Sequence, residues 1–489
     1  MEKNPHFSLD VILAVILLAL FAFPHDGVTQ DKAARIDSLM NIYHAYGQFN
    51  GSVLVAEAGK VIYKRGFGFA NMDWNIPNAP ETKFRIGSIT KQFVAMLTMQ
   101  LVEKGKIKLD GKLTDYLPDY RKDTGDQVTI HHLLTHTSGI PSYTGLPGFW
   151  SDSTRNPYSL DYIVKSFCSG NLEFESGTKY FYNNTGYFLL GVIIEKVTGK
   201  LFAEVLAENI LQPLQMRNTG VDVEKITLAN RASGYLKQMG GFINEPYFVM
   251  QNAYAAGAMY STVEDLYLWD QALYADKLLS KKSKEIMFKP FLNNYAYGWG
   301  VRKIGLNASK DSLLVAAHTG GINGFNTIIF RMVDAKHLVV MLNNSGPARL
   351  NDMCQNIANI LYGKPVDSPK KSIAEALAKV IAEKNAEAAV AEYRQLKATQ
   401  GNAYDFGENE LNTFGYQLLG MKKVKEAIEI FKLNIEAYPD AFNPYDSLGE
   451  AYMIDGNKEL AIKNYAKSLE LNPNNLGAIE MLKRIKEMK

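Results

Sequence analysis

Between residues 51 and 70 apolar positions alternate with small or polar ones. Val53 and Val55 are followed by Val61 and Tyr63, with a turn signal at Ala58-Gly59-Lys60, a pattern that predicts two strands joined as a hairpin. Over residues 88–104 the period lengthens. Phe93, Val94, Leu97, Leu101 and Val102 recur at helical spacing and Gly105 supplies a stop. Residues 187–197 predict a largely buried helix ending at Gly199. Residues 263–274 predict an amphipathic helix opened by Ser261 and Thr262. Strand patterns return at 313–317, 327–332 and 337–342, the last two parted by the turn-like Asp334-Ala335-Lys336, and residues 350–362 read as a helix. Strands at both ends of a helix-rich middle imply one sheet assembled from the two ends of the domain. Helices would cover this sheet and form a separate lobe, giving a two- or three-layer α/β arrangement.

Past Gly363 the composition shifts. Residues 363–372, containing Lys364-Pro365-Val366-Asp367-Ser368-Pro369, read as a linker. Residues 373–489 are then nearly all helix-forming, and they repeat. Gly415 and Gly449, Ala427 and Ala461, Phe431 and Tyr465, and Pro439 and Pro473 are each 34 residues apart. This resembles the tetratricopeptide repeat, whose period is about 34 residues. The resemblance implies an all-α superhelix in which Gly and Ala let helices approach and an aromatic fills the gap between neighbouring repeats. Residues 476–488 would cap it, and residues 373–399 would form a degenerate pair at its front. Such an array usually presents a groove to a protein or peptide partner.

Composition narrows the picture. Of 489 residues 47% are hydrophobic and 21% charged, and the net charge is only +2. A sizeable core is affordable, while a dedicated nucleic-acid binder would carry a strong basic excess. No polybasic tract marks a membrane surface. Residues 11–23 form an unbroken apolar run. It is shorter than the roughly 20 residues that span a bilayer and suits a signal-peptide core. Residues 1–29 are therefore read as a signal peptide, with export to a periplasmic or secreted location and no membrane span after cleavage. Cys168 and Cys354 lie far apart, in no metal-like spacing, and both a disulfide and two buried thiols remain open.

The chemistry centres on Ser88-Ile89-Thr90-Lys91. On a helix, positions i and i+3 share a face, so the Lys amine can sit beside the Ser hydroxyl and activate it. The spacing alone means little, because Ser176 and Ser368 also open such a motif, one in a Gly-bounded turn and one in the linker. Ser88 differs in following Gly87 and opening an apolar helix, whose N-terminal amides favour developing negative charge. A second element, Tyr182-Asn183-Asn184, precedes the buried helix. A Tyr near cations can act as a base, and an Asn can bind a substrate amide. A third, His318-Thr319-Gly320-Gly321, follows an apolar strand. Its glycines admit a substrate, and its amides could complete an oxyanion hole. Each of the last two, alone, is an ordinary loop or strand end. His131, His132 and His136 have no acidic partner at matching spacing and read as structural. No G-x-S-x-G and no Gly-rich phosphate loop is present.

Taken together and in this order, the three elements resemble the serine β-lactamase and penicillin-binding family, in its branch of class C β-lactamases, D,D-peptidases and esterases. Residues 129–139 are similar to a characteristic stretch of that branch. So are residues 187–199 and 257–262 with Asp265-Leu266, and Tyr297-Gly298-Trp299-Gly300. The likeness spans about residues 35–362, within a domain read as 30–362. It implies an α/β fold with an antiparallel sheet flanked by helices plus an all-helical lobe. It also implies acyl transfer through a covalent ester on Ser88, with no cofactor or metal. Lys91 and Tyr182 would share the proton transfers, and Asn184 would orient the substrate amide. The amides of Ser88 and Gly321 would form the oxyanion hole, with His318, Thr319 and Gly320 lining the site. His318 stands where class C β-lactamases have Lys, a form more similar to D,D-peptidases and D-amino-acid peptidases. The implied substrates rank as D-amino-acid or cell-wall peptides, then carboxylic esters, then β-lactams. A non-catalytic scaffold working through the repeats is the opposing class.

Overall fold

The computed structural model describes residues 25–150, 154–223, 225–238 and 241–487. The signal-peptide reading falls, through residue 24, outside the described residues. Contacts divide the chain into two units, one of Met1–Leu236 with Asn244–Asp367 and one of Lys237–Ile243 with Ser368–Lys489.

The first unit is built on six strands: β1 (Gly51–Glu57), β2 (Lys60–Phe67), β3 (Gly300–Gly305), β4 (Ser312–Ile322), β5 (Phe325–Met332) and β6 (His337–Asn343). Their order is β3-β4-β5-β6-β1-β2, with every neighbour antiparallel. The N-terminal hairpin joins the C-terminal strands through β1 and β6, where Val53 faces Met341 and Val55 faces Val339. In the hairpin turn Ala58 and Gly59 both take positive φ, 48° and 77°. Two-residue hairpin loops need that conformation, and glycine adopts it freely.

Alternation along the strands sends side chains to two different cores. Val53, Val55, Ile328, Phe330, Val339 and Met341 pack with helices α1 (His25–Ala45) and α5 (Leu350–Leu361). Leu54, Ala56, Ile329, Val340 and Leu342 face the larger core. That core holds α2 (Thr90–Glu103), α3 (Asn184–Thr198) and α4 (Val263–Leu273), so the unit has three layers. Helix α2 is buried on every face from Thr90 to Leu101, as a helix at the centre of a domain must be. The Asn183 side chain caps α3 by accepting from the Gly186 amide at 3.0 Å, and Gly199 ends it at φ 70°.

Two strands of this sheet depart from the sequence expectation. The strand expected at 313–317 runs on to Ile322, because the glycines after Thr319 stay extended and paired with β5. Strand β3 was not foreseen. It is an edge strand whose Arg302 and Lys303 are exposed, which interrupts the apolar alternation. Both cysteines are free and buried, Cys168 in the larger core and Cys354 in the one beside α1.

The second unit is helical: α6 (Ile373–Glu383), α7 (Ala386–Thr399), α8 (Glu408–Gly420), α9 (Val424–Ala437), α10 (Phe442–Ile454), α11 (Lys458–Leu471) and α12 (Leu476–Glu487). Lys371–Ser372 and Tyr404–Asp405 add one short parallel strand pair. A Cβ placed on Gly415 of α8 would lie 2.4 Å from the Phe431 ring of α9, and one on Gly449 of α10 would lie 3.0 Å from the Tyr465 ring of α11. The aromatic therefore fills the space inside each of these two helix pairs, where the sequence reading put it between repeats. The glycine faces its own hairpin partner, and the ring occupies the missing side chain's place. Among the described residues no helix is long and apolar enough to cross a membrane.

Candidate active site

The segment that leads into Ser88 is held from several sides. Arg85 Nε donates to Asp222 at 2.7 Å, and Arg231 reaches the same buried carboxylate at 2.9 Å. The Ile86 amide donates to Met259 O at 2.9 Å, and the Thr327 hydroxyl donates to Ile86 O at 3.0 Å. Gly87 then takes φ +51°, and the first turn, Gly87–Ile89, is a 3₁₀ helix that passes into α2. In a 3₁₀ turn residues i and i+3 eclipse, which aligns Ser88 with Lys91 more closely than an α-turn would. A Cβ on Gly87 would stand 2.8 Å from the Gly321 amide nitrogen, and one on Gly320 would stand 1.9 Å from Ile86 O. Glycine at these positions lets the backbone of β4 lie directly against the backbone that carries Ser88.

Lys91 is fully buried. Its Nζ lies 2.9 Å from Ser88 Oγ, 2.9 Å from Asn184 Oδ1 and 2.8 Å from Ala256 O. Burial holds its ammonium well below the usual lysine range. A neutral amine has two N–H groups and one lone pair. The two carbonyl oxygens can only accept, so each takes an N–H, and the remaining position of the nitrogen faces Ser88 Oγ, as a donor when charged and as a lone pair when neutral. Asn184 is locked in turn, its Nδ2 donating to Thr144 Oγ1 at 2.9 Å and its backbone amide to Ser142 Oγ at 3.2 Å.

The Tyr182 ring centroid is 5.0 Å from Lys91 Nζ. Burial pushes its phenol up, and the Ser88 contact only partly offsets this. Tyr182 is thus a protonated phenol beside the Lys91 amine. Behind it, the His136 ring lies tilted at 4.3 Å, and His136 Nδ1 accepts from the Asn183 amide at 3.1 Å. The Phe181 amide donates to His136 O at 2.9 Å, so one residue braces both flanks of Tyr182.

His318 is buried, and both ring nitrogens are engaged. Nδ1 lies 2.6 Å from Thr319 O and Nε2 lies 2.9 Å from the Tyr295 hydroxyl. The carbonyl can only accept, so Nδ1 carries the proton and Nε2 accepts from Tyr295. Burial, aided by Lys91, lowers its pKa to about 4. His318 is uncharged at neutral pH. Thr319 and Gly321 are exposed. Strand β3 pairs with β4 only as far as Ala317, whereas β5 continues along β4 to Ile322. Beyond Ala317 the β3 side of β4 therefore carries no strand among the described residues.

The structure thus gathers Ser88, Lys91 and Asn184 in one hydrogen-bonded cluster with the Tyr182 ring beside Lys91, with Gly320 and Gly321 against Gly87 and His318 one ring away from Tyr182 at 6.1 Å. Ser176 instead donates to Ser138 O at 2.8 Å in a loop. Ala256, Thr144 and Tyr295 were missed. Ala256 acts through its carbonyl, which no side chain announces. Tyr295 stands two residues before the Tyr297-Gly298-Trp299-Gly300 motif and could have been sought there. Among the described residues no three His, Cys, Asp or Glu side chains converge as a metal site would need.

Residues 33–361 match the family described as Beta-lactamase. The chain is 31% identical over 365 residues to "Penicillin-binding protein 4*" of Bacillus subtilis, covering 70% of this chain and 79% of that one. The crystal structure of FmtA from Staphylococcus aureus superposes with a TM-score of 0.58 at 26% identity, over 69% of this chain and 90% of that one. D-amino acid amidase from Ochrobactrum anthropi SV3, in complex with L-phenylalanine amide, gives 0.58 at 26% identity, over 68% and 99%.

Proposed function

Because the chain belongs to the beta-lactamase family, and so is a serine hydrolase, we propose that Ser88 is its acylated nucleophile and Lys91 the base. The observation that carries this is the buried Lys91 amine, held by Asn184 Oδ1 and Ala256 O with its nitrogen 2.9 Å from Ser88 Oγ. The substrate's main chain adds to the open edge of β4 at residues 318–321. Its carbonyl oxygen turns toward the amides of Ser88 and Gly321, which stabilise the oxyanion. Lys91 takes the hydroxyl proton as Ser88 Oγ bonds to the carbonyl carbon. The C–N or C–O bond then breaks, and Tyr182 passes a proton to the leaving group and is recharged from Lys91. Water, deprotonated by the same pair, attacks the ester and frees Ser88. Asn184 orients the acyl-side amide, and Thr319 and Gly320 line the site.

The leading substrates are D-amino-acid peptides and amides. Similarity to a D-amino acid amidase supports this, as does the neutral His318, which supplies no cation for a β-lactam carboxylate. Esters come second and β-lactams third. We further infer export, supported by the apolar run at 11–23, and a tetratricopeptide-like second domain open to a peptide or protein partner, supported by the two matched Gly–aromatic packings.

Intact-mass spectrometry after separate treatment with a fluorophosphonate and a penicillin, beside Ser88→Ala, tests the reading. A fluorophosphonate adduct that Ser88→Ala abolishes is expected. A persistent penicillin adduct would favour the peptidase-like assignment, and its absence would favour an amidase or esterase. No adduct with either reagent would sink the catalytic reading and favour the scaffold.

A further inference from the structure

Two stretches without any motif, residues 142–150 with 154–158 and residues 246–254, are bonded to each other. The Tyr143 hydroxyl donates to Asn252 O at 2.9 Å, Asn252 Nδ2 to Asn156 O at 2.9 Å, and the Val249 amide to Thr154 O at 2.9 Å. Trp150 stands on this double loop and is tied to both walls of the site. On one side its Nε1–H donates to Thr144 O at 2.8 Å. The Thr144 hydroxyl accepts from Asn184, the side chain that holds Lys91. On the other side its ring lies 5.8 Å from Phe248, which packs in a small apolar cluster with Ile322, the residue after Gly321. Anchored in this way, Trp150 is nevertheless 56% exposed. A large ring fixed by its polar edge and by two neighbouring rings, Phe248 and, at 5.5 Å, Phe149, with much of its surface still in water, is a ready contact for an apolar group arriving beside Asn184.

Resting on the acyl-enzyme reading above, we propose that Trp150 is a specificity-determining residue. Its exposed surface receives an aromatic or large apolar side chain on the acyl part of the substrate. The acyl side is indicated because Trp150 is bonded through Thr144 to Asn184, the residue assigned to the acyl-side amide. The enzyme then prefers bulky apolar D-aminoacyl groups over D-alanyl ones.

The test uses p-nitrophenyl esters of N-acetyl-D-phenylalanine and N-acetyl-D-alanine. Both are activated enough to acylate an esterase or a peptidase alike. The full-length enzyme should favour the phenylalanyl ester in kcat/KM by about tenfold or more, the scale of one good aromatic contact. Trp150→Ala should cut that preference by about tenfold, mainly through KM, while Trp150→Phe should keep most of it. Fluorophosphonate labelling of Ser88 in both variants reports that the site is still assembled. Release that depends on Ser88 but shows the same preference in Trp150→Ala would overturn this inference alone. Release that survives Ser88→Ala would overturn the functional reading, and this inference with it.

Discussion

Glycine does two different jobs in the two units. Beside Ser88, Gly87 and Gly320 let main chain meet main chain, since a Cβ on either would press on the backbone of Gly321 or of Ile86. In the second unit, Gly415 and Gly449 admit an aromatic ring from the partner helix. A backbone pressed by a new methyl cannot move without taking its strand along, whereas a ring can turn or slide. The first arrangement fixes Ser88 against the Gly321 backbone, and the second fills a core. Substitutions should accordingly damage chemistry in one unit and only stability in the other.

The largest effect is expected at the group this rigid frame serves. Lys91→Met should lower kcat/KM by about a thousandfold, within the range that general acid–base catalysis supplies. In the parent enzyme the pH profile carries a matching signature. On the proposed mechanism, Lys91 below its pKa is an ammonium whose N–H groups are all engaged, and Ser88 then has no base. kcat/KM therefore rises with pH and levels off once Lys91 is neutral. Burial depresses that pKa, so the plateau should be reached well below the 10.5 of ordinary lysine. An acid limb that survives in Lys91→Met and disappears in Tyr182→Phe would transfer the role of base to Tyr182.

Gly320→Ala tests the frame itself. The new methyl would sit 1.9 Å from Ile86 O and 2.5 Å from Thr327 Oγ1. Overpacking of this kind costs about 1–3 kcal/mol. A shift near 1 Å between Ser88 and the Gly321 amide would cost about a hundredfold in rate. Chemical denaturation and the rate of Ser88 labelling measure the two parts. A variant that labels at the parental rate would mean that the two backbones are not held as tightly as their contact implies.

Much of this frame was legible in the chain. The Ser88–Lys91 spacing, the Tyr182–Asn184 pair and the Gly320-Gly321 step are local patterns, and local patterns survive translation into sequence. The hairpin at Ala58-Gly59 and the helix stop at Gly199 were legible for the same reason. The carbonyl of Ala256 and the hydroxyls of Thr144 and Tyr295 were not, because they reach the site through tertiary placement and their residue types are unremarkable. Strand β3 escaped because Arg302 and Lys303 face solvent at a sheet edge. The extension of β4 escaped because a His-Thr-Gly-Gly run reads as the end of a strand, and only its pairing with Thr327 and Asn326 shows otherwise. In the second unit the 34-residue spacing named the right residues but not which neighbours they touch, since a period alone does not tell contacts inside a pair from contacts between pairs.

The smallest effects should come from the two helical glycines, and they should differ. Alanine in a helix interior is worth about 0.5–1 kcal/mol over glycine, so each Gly→Ala starts with a gain. At Gly415 the new methyl meets three atoms of the Phe431 ring at 2.4, 2.5 and 2.8 Å, and that ring is itself fully buried. Relief requires displacing Phe431 against its neighbours, and the cost of about 1–3 kcal/mol exceeds the gain. At Gly449 the Tyr465 ring atoms lie at 3.0, 3.1 and 3.1 Å, so a movement of a few tenths of an ångström suffices and gain and cost nearly cancel. Thermal unfolding should therefore show Gly415→Ala lowering the transition of the helical unit and Gly449→Ala leaving it nearly in place. Equal losses at both positions would mean that the rings are held as rigidly as the backbones beside Ser88, and the contrast between the two uses of glycine would fail.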